Sequence, residues 1–246
     1  MVTVSIVSHG HGAMVEQLVR QLLLFPEVGQ IILTYNIPEV SNLSSSEKLE
    51  IIVNNKPAGF AANHNAAFQR CRESFFCILN PDIELSQNLF PELLSCITKH
   101  KAALVAPLVL SPEGKVEDSI RRFPTPYLLL SKIFGGDGGK YSIIPKREAF
   151  FPDWTAGMFM LFNSSAFAEI GGFDPKFFLY YEDVDICARL WKTGQNIAVC
   201  PSVSVVHAAR RDSHHSLRFM RWHLASLTRY FFKHYGRLPQ NKDNMR

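Results

Sequence analysis

The alternation of short apolar runs with helix-like segments over the first hundred residues constrains this fold more than any other feature. Five runs typical of β-strands lie at 3–8, 30–35, 50–53, 75–79 and 102–106. Segments that we interpret as helices lie between them, at 14–25, 60–72 and 88–100. Continuously apolar strands that alternate with helices predict an α/β fold whose mostly parallel sheet is covered by helices on both faces. Ligands of such sheets bind at the carboxyl ends of the strands.

The pattern of elements changes after Pro107. Prolines and the run GGDGG predict a mobile loop region at 124–150. A glycine at 194 suits the position just after a helix, where a left-handed backbone is common. The elements that we predict beyond the loop region are a strand at 153–162, a helix at 164–170, a helix from the acids near 182 to Gly194, and strands at 197–199 and 204–207.

Composition excludes several classes of protein. Of the 246 residues, 47% are apolar and 20% are charged, which permits a sizeable core and excludes wholesale disorder. No apolar run reaches the roughly 18 residues of a membrane span, and the N-terminus lacks the basic start of a signal peptide. The five cysteines are scattered without a CxxC pair, so we expect reduced thiols in a cytosolic protein.

Positive charge is concentrated at the C-terminal end. Residues 210–246 contain nine Lys or Arg and two acids, whereas the 209 residues before them contain 17 and 20. One interpretation of the segment 216–235 is an amphipathic helix that only packs on the domain. A more specific interpretation is that this helix also contacts an anionic membrane surface. Nucleic-acid binding is not expected, because no recognised fold or stacking motif accompanies the charge. The apolar stripe of this helix comprises Leu217, Met220, Leu224, Leu227 and Phe231.

The tripeptide NPD, Asn80 to Asp82, follows directly after the strand at 75–79. Its acid therefore lies at the carboxyl edge of the sheet, where it could hold a diphosphate through a divalent cation. Oxygen ligands suit Mg²⁺ or Mn²⁺, which bind through one or two carboxylates together with phosphate oxygens. The simpler interpretation is a turn that caps the next helix. His207 ends an apolar run and is either a plain polar terminus or a second ligand of the same cation.

Three acids follow an aromatic run in FFLYYEDVDIC, residues 177–187. Glu182, Asp183 and Asp185 fall in the first turn of the predicted helix. Acids there complement the helix dipole by roughly 0.3–1 kcal/mol each, and Asp185 can also pair with Arg189 one turn on. That account explains one or two acids. Three acids packed beside an aromatic run indicate that at least one of the carboxylates has a raised pKa, which suits a general base.

A loop shaped by Pro57 and Gly59 precedes the small-residue helix at 60–72. The N-terminus of such a helix can approach an anion or a nucleotide base closely. The alternative is close packing of the helix on the sheet through its alanines. The two interpretations are compatible.

Together these segments resemble the inverting nucleotide-sugar glycosyltransferases of family 2, which have the GT-A fold. ILNPDIEL is similar to the family's variant of the DxD metal motif, and GFAANHNAAF is similar to the segment near the nucleotide. DWTAGMFML with GGFDPKFFLYYEDVDICARL resembles the acceptor-side block. Within the family, VSHGH, IRRFPTP and RWHLAS resemble bacterial rhamnosyltransferases of O-antigen assembly. The likeness covers nearly the whole chain.

The resemblance implies a role for each candidate residue. Asp183 corresponds by position to the catalytic base, and Glu182 and Trp154 line the sugar and acceptor pocket. Asp82 and His207 correspond to ligands of Mg²⁺ or Mn²⁺. The residues expected to contact the donor are Ser8, Asn36, Gly59, Asn65, Asn80, Asp82 and Trp154.

Two positions depart from the family pattern. Asn36 stands where the family often has an Asp that recognises the base. Asn80 replaces the first acid of DxD, which leaves the metal site with one carboxylate fewer.

The resemblance also implies transfer of L-rhamnose from dTDP-rhamnose to a polyprenyl-diphosphate-linked saccharide in O-antigen synthesis. It implies a protein that is peripheral on the inner face of the bacterial cytoplasmic membrane. We expect a catalytic domain at 1–212, with a nucleotide-binding part at about 1–106 and an acceptor-side part at about 107–212, and a basic helical tail at 213–246.

Two other functions are compatible with the architecture. A non-catalytic nucleotide-sugar binder or assembly partner remains an alternative because NPD has a single acid. A sugar nucleotidyltransferase is disfavoured, because VSHGHGAM lacks the basic residue that would hold a triphosphate. The catalytic interpretation requires Asp82, Asp183 and His207 to meet at the rim of one pocket.

Overall fold

The computed structural model describes residues 1–141, 148–208, 217–234 and 236–239. The strands are β1 (Val2–Ser8), β2 (Val28–Tyr35), β3 (Leu49–Val53), β4 (Phe75–Leu79), β5 (Ile83–Glu84), β6 (Ala102–Leu110), β7 (Ile120–Arg121), β8 (Trp154–Thr155), β9 (Phe159–Asn163) and β10 (Asn196–His207). The helices are α1 (Ala13–Leu23), α2 (Phe60–Phe68), α3 (Phe90–Lys99), α4 (Pro126–Ile133), α5 (Ser164–Glu169), α6 (Glu182–Lys192) and α7 (Leu217–His234).

Eight of the strands form one sheet, in the order β3-β2-β1-β4-β9-β6-β10-β5. The pairs β2–β3, β1–β2, β1–β4 and β6–β10 are parallel, whereas β9 runs antiparallel to both β4 and β6. The central strands are buried along nearly their whole length, and apolar clusters lie on both faces of the sheet. The predicted α/β fold, with a mostly parallel sheet between layers of helices, is therefore confirmed. Strands β7 and β8 form a separate two-stranded sheet.

Four of the predicted elements after Pro107 were wrong in extent or type. The loop region at 124–150 contains α4, because Thr125 caps the helix by accepting a hydrogen bond from Leu128 N and a proline occupies its first turn. Residues 142–147 of that region lie outside the described residues. The strand at 153–162 is interrupted and forms β8 and β9. The two strands near 200 are one strand, β10, whose register shifts between Cys200 and Ser204.

The tail helix α7 packs on the domain, as predicted, but the predicted stripe is confirmed only in part: Leu227 and Phe231 are half-buried, and Phe231 packs against the core. Met220 and Leu224 of the predicted apolar stripe are exposed, whereas Ser226, Tyr230 and His234 are buried. The buried polar groups of this face are satisfied by partners on the domain. Ser226 Oγ donates to the Leu179 carbonyl at 2.9 Å, and the hydroxyl of Tyr230 donates to the Pro124 carbonyl at 3.2 Å. Apolar periodicity failed here because hydrogen bonding allows polar side chains to form the contact.

The five cysteines are free thiols, as predicted, and four of them are buried. Among the described residues, no helix combines the length and apolar character needed to cross a bilayer.

Candidate active site

The NPD segment lies at the carboxyl end of β4, as the sequence predicts. Asn80 N donates to the Met158 carbonyl at 2.9 Å, and the chain then enters the short strand β5. Antiparallel pairing of β5 with the end of β10 places His207 opposite Ile83. The result is that Asp82 Oδ2 and His207 Nε2 lie 3.3 Å apart. The structure therefore brings together the two residues predicted to share a cation.

A third side chain, Glu117, completes this arrangement. Its Oε2 lies 2.9 Å from His207 Nδ1. Without a cation, each ring nitrogen of His207 faces one of the two acids; a bound cation would take the place of the proton on Nε2, while Nδ1–H donates to Glu117. Burial opposes the charged forms of Asp82 and His207, but their mutual hydrogen bond and attraction outweigh it. The pKa of Asp82 is consequently lowered, and the pKa of His207 is raised with help from Glu117.

The Asp82–His207 pair fits a divalent cation bound jointly with a substrate. Asp82 Oδ1 is buried and has no hydrogen-bond partner among the residues that the structure describes, so one carboxylate oxygen has a lone pair to offer. Glu117 would orient His207 from the other side, as carboxylates do behind metal-binding histidines. Within the described ranges, no set of three His, Cys, Asp or Glu side chains is grouped to hold a metal ion. Two protein ligands completed by substrate oxygens and water would match the usual pattern for Mg²⁺.

The acidic cluster begins α6 after an unusual stretch of backbone. Tyr180 and Tyr181 both have positive φ, 71° and 66°, which bulky residues rarely adopt. Their rings are held against His223 of α7, with centroids 5.4 Å away in each case. Backbone strain of this kind is found where a structure must aim particular side chains. Here the strained backbone at Tyr180 and Tyr181 places Glu182 and Asp183 at the N-terminal end of α6.

Asp183 is positioned by backbone hydrogen bonds. Its Oδ2 accepts from Gly157 N at 3.0 Å, and its Oδ1 accepts from Val184 N at 2.8 Å. Burial raises the pKa of Asp183, although these two hydrogen bonds favour the charged form. Glu182 is also buried, and burial together with the charge of Asp183 raises the pKa of Glu182 to about 8. Two backbone donors stabilise the ionised form of Asp183, whereas Glu182 Oε2 has no hydrogen-bond partner among the described residues, so the geometry favours the proton on Glu182.

A cavity of about 320 Å³ opens beside these acids. Glu182, Asp183 and Trp154 line it, and the Trp154 indole is fixed by donating to the Arg122 carbonyl at 3.0 Å. The volume suits a small-molecule site. Leu128, Leu129 and Lys132 of α4 and His223 of α7 also line the cavity.

Asp82 and His207 do not line this cavity, so the expectation of one pocket is met only in part. Two consecutive residues, Gly157 and Met158, connect Asp183 with the NPD segment. Gly157 N binds Asp183, and the carbonyl of the next residue, Met158, binds Asn80 N. Residues 157–158 thus tie the acid of α6 to the beginning of NPD.

The loop after β1 is organised by a residue that the sequence did not single out, Glu39. Its carboxylate accepts from Ser8 Oγ at 2.9 Å, from Gly10 N at 2.8 Å and from Gly12 N at 3.2 Å. Burial raises the pKa of Glu39, but these hydrogen bonds outweigh it and leave the pKa lowered. Ser8 therefore lies in a loop whose backbone N–H groups donate to the Glu39 carboxylate.

Asn36 is buried and binds the loop before α2. Its Oδ1 accepts from Ala58 N at 2.8 Å and from Asn54 Nδ2 at 2.9 Å, and its Nδ2 donates to the Ala58 carbonyl at 3.0 Å. Asn36 Nδ2 also lies 3.3 Å from His9 Nδ1. The side chain thus joins the β1 loop to the loop before α2.

Gly59 and Asn65 connect α2 to the acidic block. A Cβ at Gly59 would overlap the Phe178 carbonyl, to which Phe60 N donates at 3.0 Å. Asn65 Oδ1 accepts from Phe173 N at 2.9 Å, and Asn65 Nδ2 donates to the Phe173 carbonyl at 2.8 Å. Close packing therefore accounts for both residues in this structure. Their contact with a nucleotide stays a prediction.

Sequence reasoning missed Glu39 and Glu117 because neither lies in a motif. Each approaches the site only through folding, Glu39 from the segment after β2 and Glu117 from the turn after β6. The one available signal for Glu117 was its place two residues after the turn SPEGK.

Comparison with known proteins connects this geometry to a family. The profile of the family described as Glycosyl transferase family 2 matches residues 32–170. Rhamnosyltransferase WbbL of Escherichia coli (strain K12) is 28% identical over 246 residues, which cover 94% of this chain and 92% of that protein. The N-acetylglucosaminyl-diphospho-decaprenol L-rhamnosyltransferase of Mycobacterium tuberculosis is 29% identical over 169 residues, which cover 63% of this chain and 52% of that protein.

Solved structures share the fold at low sequence identity. GalNAc-T7 with UDP, GalNAc and Mn²⁺ superposes with a TM-score of 0.71 at 16% identity, covering 94% of this chain and 47% of that chain. The mannosyltransferase PcManGT of Pyrobaculum calidifontis, with GDP-Man and Mn²⁺, gives 0.61 at 13% identity, covering 94% and 63%.

Proposed function

The chain belongs to glycosyl transferase family 2, and on that premise we propose that it is an inverting rhamnosyltransferase. The proposed donor is dTDP-rhamnose, and the proposed acceptor is a saccharide linked to a polyprenyl diphosphate. Two relatives named as rhamnosyltransferases support the sugar, and the decaprenol-linked substrate in the name of one of them supports the acceptor. The proposed context is O-antigen synthesis.

The observation that carries the proposal is the Asp183 carboxylate in the cavity beside α6. Two backbone N–H groups hold it, and the neighbouring Glu182 retains the proton of the pair at neutral pH. An ionised carboxylate with a raised pKa is suited to remove a proton from an acceptor hydroxyl. The hydroxyl oxygen then attacks the anomeric carbon on the face opposite the nucleotide, which inverts the configuration. The nucleoside diphosphate leaves.

On the donor side, Asp82 and His207 would hold Mg²⁺ or Mn²⁺. The cation, when bound, supplies positive charge that stabilises the departing diphosphate. The unpartnered Asp82 Oδ1 supports this assignment, as does the fold that the chain shares with Mn²⁺-bound glycosyltransferases. Ser8, Asn36, Gly59, Asn65 and Asn80 are proposed to shape the nucleotide site.

On the acceptor side, the protonated Glu182 and the Trp154 ring line the cavity in which the sugar and the acceptor meet. The protein is proposed to act at the inner face of the cytoplasmic membrane, where its acceptor is anchored. The basic helix α7 would contact that surface.

Product formation from defined substrates tests the proposal. The purified chain is incubated with dTDP-rhamnose, Mg²⁺ or Mn²⁺, and a short-chain polyprenyl-diphosphate-linked N-acetylglucosamine. The expected result is acceptor-dependent release of dTDP and a glycoside whose anomeric configuration is opposite to that of the donor. Retention of configuration would contradict the inverting mechanism. Binding of dTDP-rhamnose without any release of dTDP, with or without acceptor, would identify a non-catalytic binder instead.

A further inference from the structure

Helix α4 presents an apolar face with no partner among the described residues. Tyr127 is 77% exposed, Leu130 55%, Ile133 76% and Phe134, just after the helix, 84%. Their spacing of three and four residues puts these side chains on one side of the helix. No residue of α4 is fully buried. Contiguous exposed apolar surface of this kind marks an interaction site.

The other side of α4 forms a wall of the cavity beside Asp183. Leu128, Leu129 and Lys132 line it, and His223 of α7 lines it as well. Lys132 and His223 both line this cavity, and burial together with the charge of Lys132 lowers the pKa of His223. Helices α4 and α7 therefore border the same cavity, and the exposed face of α4 belongs to a helix that forms part of its wall.

Helix α7 contributes apolar residues to the same side. Met220 and Leu224 are each more than half exposed, although they were predicted to be buried. Met220, His223 and Leu224 lie at i, i+3 and i+4, so they share the flank of α7 that faces the cavity. The exposed apolar residues thus lie on the two helices that border the cavity.

The charge around this surface is strongly positive. Residues 121–141 contain four Lys or Arg and one Asp, and Leu217–His234 contains four Lys or Arg and no acid. Arg122, Lys132, Lys140 and Arg221 are exposed. Apolar side chains flanked by bases complement an anionic bilayer, whose headgroups attract the charges and whose interior accepts the side chains. Such complementarity favours lipid over a second copy of this basic surface, which would repel itself.

We propose that the exposed face of α4 and the adjoining flank of α7 form one membrane-docking surface, which binds anionic bilayers and holds the mouth of the Asp183 cavity against the lipid. This inference rests on the proposed function for its biological sense, because a lipid-linked acceptor would then enter the cavity directly from the membrane. Helix α4 has eight residues, or about 12 Å, so it lies in the interface and does not span the bilayer.

Flotation with lipid vesicles tests the surface without donor or acceptor. The full chain is mixed with vesicles of phosphatidylcholine alone or with 30 mol% phosphatidylglycerol, about a third anionic lipid. We expect binding to the anionic vesicles, and at least a fivefold loss of bound protein in the double variant Leu130→Ser, Ile133→Ser. The matched control is Leu24→Ser, Val40→Ser, because Leu24 and Val40 are 79% and 85% exposed on other parts of the chain. This control should bind as the unaltered chain does.

A charge variant, an oligomerisation measurement and a folding control complete the vesicle experiment. Arg221→Gln with Lys140→Gln should weaken binding to anionic vesicles in the same way. Equal vesicle binding by the α4 variant and the control would overturn the proposal. So would a dimer in analytical ultracentrifugation that the α4 variant loses, because the face would then bind a second copy. Thermal melting must show that the α4 variant folds like the control.

Activity separates this inference from the proposed function. The α4 variant should transfer sugar normally to a water-soluble short-chain acceptor and at least fivefold more slowly to an acceptor embedded in vesicles. Vesicle binding without transfer to either acceptor would contradict the proposed function and leave the docking surface standing. Equal rates of the variant and the unaltered chain on the embedded acceptor would contradict the docking surface alone.

Discussion

His234, in the last turn of α7, lies with its Nε2 2.8 Å from Oδ1 of Asp185 in the first turn of α6. Both side chains are fully buried. Lys192 Nζ lies 2.8 Å from His234 Nδ1, and Arg189 Nε binds Asp185 Oδ2 at 2.8 Å. The end of the tail helix is therefore anchored two residues from Asp183. Helix α7 supports the active site as well as presenting basic residues to solvent.

Replacement of His234 by alanine should destabilise the protein and slow transfer. The substitution leaves Arg189 and Lys233 paired with Asp185 but removes one buried hydrogen bond to that carboxylate, which costs about 1–3 kcal/mol. We expect that loss in the free energy of unfolding measured with urea, together with a lower kcat, because α6 is less firmly held. Thr228→Ala on the exposed side of the same helix is the control. Equal unfolding free energies for the two variants would show that the anchor has no structural importance.

Asp183→Asn should abolish the base without affecting the donor site. An amide cannot accept the proton of the acceptor hydroxyl, and loss of a general base lowers kcat by about 10²–10⁴. Donor affinity, measured by calorimetry with dTDP-rhamnose, should be unchanged. Asp174→Asn is the matched control, because Asp174 pairs with Lys233 outside the cavity. Transfer at a near-normal rate by Asp183→Asn would remove this residue from the mechanism.

Glu182→Gln should change how stability depends on pH. The ordinary pKa of a glutamate is near 4.5, whereas that of Glu182 in the folded protein is raised to about 8. Between these values the folded state holds a proton that the unfolded state has released, so stability falls as pH rises. Glutamine cannot ionise, and the variant should therefore melt higher than the unaltered chain at pH 8 and similarly at pH 4.

The matched control for that measurement is the exposed Glu92→Gln, which should show no difference between the two pH values. A Glu182→Gln variant whose melting temperature follows the unaltered chain at both pH values would show that Glu182 is not held protonated.

Variants of the Asp82–His207 pair should change the dependence on cation. Asp82→Asn should raise the Mn²⁺ concentration needed for half-maximal transfer by at least 100-fold. Glu117→Gln should have a smaller effect, about 10–100-fold, because it only orients His207. Glu113→Gln, in the preceding turn, is the control. Identical Mn²⁺ titrations for Asp82→Asn and this control would exclude a cation at the site.

Glu39→Gln should weaken donor binding without slowing the chemical step. The amide loses one of the two oxygens that bind Ser8, Gly10 and Gly12, so the loop after β1 is held less firmly. Loss of a charge-assisted hydrogen bond predicts a roughly tenfold higher KM for the donor, with kcat retained. The exposed Glu47→Gln is the control. A lower kcat with unchanged KM would contradict a role in positioning the nucleotide loop.

Much of the nucleotide half could be predicted because its signals are local. Continuous apolar strands and small-residue helices identified β1 to β4, and NPD was correctly placed at the end of β4. The start of α6 at Glu182 was also correct. A positive φ at Gly194 accords with the predicted end of that helix.

Other features were not predictable because partners decide them. Strand β9 reads like any buried strand, yet it inserts antiparallel between β4 and β6, and no local pattern gives that direction. The buried face of α7 consists of Ser226, Tyr230 and His234, which only their hydrogen-bond partners make compatible with burial. The two glutamates at Ser8 and His207 approach from distant segments.

The amino-acid sequence by itself determined the α/β class, the placement of NPD at the carboxyl edge of the sheet, and the candidate residue types. The class and the placement follow from apolar periodicity, which acts between near neighbours along the chain, and the candidates follow from local motifs. Only the tertiary structure decided which acid retains a proton, which glutamates support Ser8 and His207, and which side of α7 is buried. Those outcomes depend on desolvation and on hydrogen bonds between segments that are far apart in sequence, and they exist only once the chain has folded.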